Sequence, residues 1–139
     1  MCREVRELVQ RGEGSPFYQL LGIKIEEVAN NYARLSISID QRHIQFLSVV
    51  HGGVIASLAD SAAAWAIYGS GGLPGVPVTV EMKINFLKSI ESGRLVAEAR
   101  NIHAGRKIFV SDVDVKDGNG NLIAKSLVTY CLVRDKGKV

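Results

Sequence analysis

The sequence predicts an α+β domain in which antiparallel strands cover one buried helix. Three observations carry that expectation. The stretch from His51 to Tyr68 is helical in composition and apolar nearly all round, so it needs cover on most of its sides. Runs of period-2 alternation lie before and after it, each reading as a strand with one wet face. The strands also come in succession rather than alternating with helices, which points to an antiparallel sheet and away from βαβ units.

The elements follow in order along the chain. Cys2 to Arg11 has helical spacing, with Val5, Leu8 and Val9 on one side and Arg and Glu on the other. Gly12, Gly14 and Pro16 are expected to end it, and Phe17 to Leu21 reads as a short apolar turn. Ile23, Ile25 and Val28 start a hairpin, and Asn30-Asn31 have the chemistry of its turn. Ala33, Leu35, Ile37 and Ile39 then alternate with Arg34, Ser36, Ser38 and Asp40. The long helix opens on His51-Gly52-Gly53, is rich in alanine, and stops at Gly69-Ser70-Gly71-Gly72. Beyond Pro74 and Pro77, Val78, Val80, Met82, Ile84 and Phe86 alternate with Thr79, Glu81, Lys83 and Asn85. Three more strands span Gly93 to His103, Arg106 to Asp117 and Leu122 to Val133. These four strands are expected to form an antiparallel meander.

Length and composition narrow the class. A chain of 139 residues is one domain with a single core. Its 47% apolar and 22% charged content is that of a soluble globular protein. The net charge of +3 is mild and forms no basic block, so a nucleic-acid partner is not expected. Cys2 and Cys131 lie near opposite ends, with no metal-ligand spacing and no disulfide framework, which fits a reducing, cytoplasmic setting. Asp112 and Asp114 have no His or Cys nearby and read as solvated, so no metal site is expected. No signal peptide is read at the N-terminus. The longest apolar stretch, Val54 to Tyr68, is too short to span a bilayer, so no membrane association is expected.

Asp60 breaks the pattern. It is the only Asp, Glu, Lys or Arg in the 38 residues from His43 to Val80. A carboxylate in so apolar a setting loses hydration at high cost unless something compensates. Either it bonds a neighbouring element or an interface, or its chemistry is used.

Several stretches now combine: His43-Ile44-Gln45, His51-Gly52-Gly53-Val54 and Leu58-Ala59-Asp60. Val78-Thr79-Val80-Glu81-Met82, Asn85-Phe86-Leu87, Ala97-Glu98-Ala99 and His103-Ala104-Gly105-Arg106 support them. Together they resemble the PaaI-like acyl-CoA thioesterases, a group related to phenylacetic acid degradation within the hotdog-fold superfamily. The similarity spans the chain beyond its first helix. It implies a long antiparallel sheet wrapped around one central helix, in one domain over 1–139 with residues 1–14 as a helical extension. The implied reaction is hydrolysis of an aryl- or medium-chain acyl-CoA to free acid and CoA, with no cofactor beyond the CoA of the substrate.

The resemblance also implies roles. Asp60 would act as base or nucleophile, and the Gly52 amide would bind the thioester oxygen, with Gly53 beside it. Gln45 would hold water or the thioester, and Thr79 would bond Asp60 or its water. His51 either orients substrate or shapes the helix start. Phe86 would wall the acyl pocket. His103, Gly105, Arg106 and Lys107 form a basic turn for the CoA phosphates, with Lys88 expected near it. Gln45 and Ser48 depart from the Asn and Gly of many members, and Gln45 is similar to the hydroxybenzoyl-CoA type.

Helix geometry adds a constraint. Eight residues separate Gly52 from Asp60, an axial distance of about 12 Å at roughly 1.5 Å per residue. One carbonyl cannot touch both in a single chain, so a working site would pair Gly52 of one subunit with Asp60 of another. A homo-oligomer is therefore expected, at least a dimer with shared sites. A tetramer made as a dimer of dimers is the larger alternative, and the sequence leaves the choice between dimer and tetramer open. Two other functions use the same fold, a non-catalytic acyl-CoA binding protein and a dehydratase or hydratase. The first is expected to carry a fused DNA-binding region, and the second a His set against the helix carboxylate.

Overall fold

An apolar helix, α3 (Gly52–Tyr68), lies across one face of a six-stranded antiparallel sheet. The computed structural model describes residues 2–137; Met1, Lys138 and Val139, and with them the outer limits of the expected 1–139 domain, lie outside the described residues. Before α3 come α1 (Arg3–Glu13), α2 (Pro16–Leu21) and the hairpin β1 (Ile23–Ala29) and β2 (Tyr32–Ser38). After it come β3 (Val76–Phe86), β4 (Arg94–Ala104), β5 (Ile108–Asp117) and β6 (Leu122–Val133). The α+β class and the wrapped helix are as expected. None of the described helices is long and apolar enough to cross a membrane.

The strand order is β1-β2-β4-β5-β6-β3, so the expected four-strand meander holds only for β4 to β6. β3 crosses to the far edge and pairs with β6, while β2 pairs with β4. The reason is the helix. Its buried residues span most of its circumference, and covering them takes both the hairpin and the later strands. Ala33, Leu35 and Ile37 of β2 and Leu95, Ala97 and Ala99 of β4 are fully buried with it.

Two early segments differ from expectation. Helix α1 runs on through Gly12 because that residue is a contact point: a Cβ there would lie 2.3 Å from the Trp65 ring. Phe17 to Leu21 belongs to a short helix rather than a turn, with Pro16 in the first helical turn, where its missing N–H costs nothing.

β3 holds the observation that matters most for the site. Between Thr79 and Glu81 the register shifts, and Val80 is left without a cross-strand partner. Such a bulge moves the following residues to the opposite face. Simple alternation puts Thr79 with Glu81, Lys83 and Asn85. In the structure Thr79 pairs with the buried Tyr130, while Val78 pairs with Cys131 on the outer face.

Among the described residues, β3 and α3 each leave a surface without cover. Val78 and Val80 on the edge strand β3 are 46% and 61% exposed. On α3, Gly53 is exposed and Ala56, Ser57, Asp60 and Ala64 are half-buried, forming a stripe of small residues. The outer sheet face instead carries several paired charges. Glu26 meets Arg34 and Arg94, Glu98 meets Lys116, and Lys125 bridges Asp112 and Asp114. Asp112 and Asp114 are thus ion-paired rather than merely solvated.

Candidate active site

The start of α3 exposes one amide. His51 is the N-cap, and its Nδ1 accepts from the Gly53 N–H at 2.8 Å. The Val54 N–H donates to the His51 carbonyl at 2.9 Å. Gly52, the first helical residue, has no acceptor among the described residues, although it sits at the positive end of the helix dipole. Gly53, expected beside Gly52 in binding substrate, does not offer its amide, because the His51 ring occupies it. A Cβ at Gly52 would meet the Phe86 ring at 3.3 Å, so the absent side chain keeps the approach to that amide open. Val50, Gly52, Ile55, Phe86, Leu87 and Lys88 line a groove of about 320 Å³ there.

Asp60 lies farther along the same helix, half-buried. Thr79 Oγ1 donates to its Oδ1 at 2.9 Å, and the Tyr130 hydroxyl donates to the same Oδ1 at 2.8 Å while lying 2.8 Å from the Asp60 carbonyl oxygen. Burial pushes the Tyr130 phenol well above its ordinary range, and the nearby Asp60 charge adds to the rise. Tyr18, on α2, accepts from Trp65 Nε1 at 3.0 Å. Its phenol is also raised, chiefly by burial, and it faces Ser61 and Asp60. Tyr130 and Tyr18 do not stand out in the sequence. Their places come from cross-strand register and from the packing of α2 on α3, which no local pattern records.

Gln45 stands in a tight turn ahead of the helix. Its side-chain carbonyl accepts from the Leu47 N–H, and its main chain closes the turn through Val49 and Ser48. The side-chain NH₂ remains as a donor. Ser48 has φ +66, a conformation that glycine adopts without strain. Phe46 and Leu47 at the turn's tip are 93% and 67% exposed.

The cations divide between two ends. Arg106 and Lys107 line a groove of about 420 Å³ together with Pro74, Gly75 and Arg134. None of these three cations forms an ion pair among the described residues. His103 is exposed beside them, its ring against Gly105. Lys88 is elsewhere, in the groove at Gly52. The expected proximity of Lys88 to the basic turn is therefore wrong within one chain. The turn lies level with Val78 through Ile108 and Cys131, whereas Lys88 follows Phe86 at the other end of β3. Arg134 carries no signal in the sequence, because it lies just past the last strand, in a tail with no motif.

Gly52, Gln45, Phe86 and Lys88 thus belong to the start of α3, and Asp60, Thr79 and Tyr130 to its middle. A polarising amide and a carboxylate are both present, but one chain does not bring them to the same atom.

Comparison with known proteins gives these features a context. The profile of the "Thioesterase superfamily" matches residues 47–124. A relative from Saccharolobus solfataricus, named "Putative esterase SSO1253", is 34% identical over 132 residues, covering 95% of this chain and 85% of its own. The crystal structure of thioesterase HI1161 (EC 3.1.2.-) from Haemophilus influenzae superposes with a TM-score of 0.84 at 26% identity, covering 93% of this chain and 90% of that one. A mutant of thioesterase PA1618 from Pseudomonas aeruginosa gives 0.83 at 28%, covering 91% and 92%.

Proposed function

The chain belongs to the thioesterase superfamily and is a thioester hydrolase, and from that premise we propose that its substrates are acyl-CoA thioesters, of the aryl or medium-chain kind hydrolysed by PaaI-like enzymes. One observation carries the reading: α3 offers an unpartnered Gly52 amide at its start and a carboxylate held by two hydroxyls eight residues later. The amide polarises the thioester carbonyl and stabilises the oxyanion that forms from it. Asp60 attacks that carbonyl or takes the proton from water. Gln45 donates from its side-chain NH₂ to the thioester or the water. Arg106, Lys107 and Arg134 take the CoA phosphates.

Amide and carboxylate lie about 12 Å apart along the helix axis, at roughly 1.5 Å per residue, so the site joins two copies. The uncovered small-residue stripe of α3 and the apolar edge of β3 support that assembly. A second α3 packed antiparallel on this stripe brings its Asp60 toward this Gly52. It also brings its basic turn toward this chain's Lys88. An exposed apolar edge strand is otherwise an aggregation hazard, and pairing removes it.

The test is release of free CoA from benzoyl-, phenylacetyl- and medium-chain acyl-CoA, monitored with a thiol reagent. The expected result is turnover by the native chain and loss of nearly all of it in Asp60→Asn, with folding and CoA binding retained. Full activity in that variant would make Asp60 structural and overturn the site.

A further inference from the structure

Both hydrogen bonds that reach the Asp60 carboxylate end on the same oxygen. Thr79 and Tyr130 donate to Oδ1, and among the described residues nothing donates to Oδ2. We propose that Tyr130 is a positioning residue for thioester hydrolysis, holding the Asp60 carboxylate by its Oδ1 edge so that Oδ2 is the oxygen presented to water or thioester. This inference rests on the reading of Asp60 as base or nucleophile.

The register of the sheet builds the cradle. Tyr130 and Thr79 are direct cross-strand partners, so their hydroxyls reach the helix side by side. The pairing depends on the bulge at Val80, which lets Thr79 share a face with the later inward residues Met82 and Ile84. On the other side of Tyr130 stands Phe109, also buried, which leaves the phenol ring little room to swing.

The second contact of the Tyr130 hydroxyl distinguishes it from Thr79. It lies 2.8 Å from the main-chain oxygen of Asp60 as well as from Oδ1. The hydroxyl thus lies against both the backbone and the side chain of the residue it orients, with its single proton given to Oδ1. Rotation of the carboxylate away from this geometry breaks both hydroxyl contacts at Oδ1. Hydrogen bonds to charged groups are worth more than neutral ones, so the held orientation is strongly favoured. The phenol remains a donor because burial holds its proton on. As a donor to Oδ1 it acts through Asp60.

A positioning role and a packing role predict different responses to a change that keeps the ring. Tyr130→Phe keeps the shape and removes the donor. The expected result is a fall in kcat of about tenfold or more, the size set by loss of one hydrogen bond to a charged group, with KM within about twofold of wild type. Incorporating 4-aminophenylalanine at position 130 restores an N–H donor at the same place and is expected to recover most of kcat. Should Tyr130→Phe fail to fold, 4-aminophenylalanine against 4-fluorophenylalanine, which is similar in shape but has no donor, makes the same comparison.

Wild-type kcat in the donor-free protein overturns the proposal. So does a loss of kcat that the amine does not recover, since that is a packing effect. Asp60→Asn run alongside separates the two levels of inference. If it is inactive while the donor-free variant is unimpaired, only the role of Tyr130 fails. If Asp60→Asn keeps full turnover, the reading of Asp60 fails first and this one with it.

Discussion

His51 shapes the start of the central helix through its own ring, whose Nδ1 caps the helix and ties up the Gly53 amide. Losing a side-chain N-cap typically costs about 1 kcal/mol. His51→Ala is expected to lower stability by roughly that amount in chemical denaturation, while His51→Asn, itself a good cap, keeps most of it. If His51 also orients substrate, the Asn variant will hold its stability and still lose kcat/KM. Unchanged turnover in His51→Asn would assign the residue to the helix start alone. At this scale the sequence was informative where a residue's role is local. Asp60 stood out as a lone charge, and His51-Gly52-Gly53 as a helix start. Tyr130, Tyr18 and Arg134 were hidden because nothing within a few residues of them signals the partner they meet. Whether an amide at the helix start is free was equally hidden, since it depends on a rotamer of His51.

Among elements, α2 acts as a strap between the Gln45 turn and the middle of α3. Arg42 donates to the Leu20 carbonyl at 2.9 Å, and His43 Nε2 lies 2.7 Å from the Leu21 carbonyl, so the last carbonyls of α2 are capped. Asp40 aims Arg42, and that guanidinium holds the Asp40 carboxyl below its ordinary 3.8, at about 2. A depressed carboxyl contributes its stability fully above the unfolded value and loses it as pH falls through the folded one. Asp40→Asn is therefore expected to be slightly less stable than wild type above about pH 4, with the gap closing as pH drops toward about 2. Because the pair is exposed, the gap is small. Urea unfolding at stepped pH measures it, and a gap that stays constant down to about pH 2 would mean that the charge is idle. Element types were largely legible, since period 2 and period 3.6 are local properties. The crossing of β3 to the far edge was not, because strand order depends on how much of α3 must be covered. Nor was the bulge: Val80 fits the alternation of its neighbours, and only pairing with β6 shows that it is the extra residue.

For the whole molecule, the proposed two-copy site makes a quantitative demand that a single-chain site does not. The position before Gly52 is already suited to a proline there: His51 has φ −62 and ψ 133, the extended region that a residue preceding proline prefers. Proline is also favoured at the first helical position. Gly52→Pro should therefore keep α3, provided the Phe86 ring gives by a few tenths of an ångström to the new Cβ 3.3 Å away, while removing the Gly52 amide, and it should be inactive. Asp60→Asn is inactive for the complementary reason. In a mixed dimer of the two, one site receives both defects. The other receives an intact Gly52 from the Asn-bearing chain and an intact Asp60 from the proline-bearing chain. Random mixing makes half of the dimers mixed, each with one of two sites working, so about one quarter of wild-type turnover should return under two-fold symmetry. If amide and carboxylate instead acted within one chain, every site would carry a defect and nothing would return. With Gly52→Pro first shown to fold by circular dichroism, unfolding and refolding the variants together, then confirming exchange by a mass tag on one of them, makes the absence of rescue decisive against the shared site.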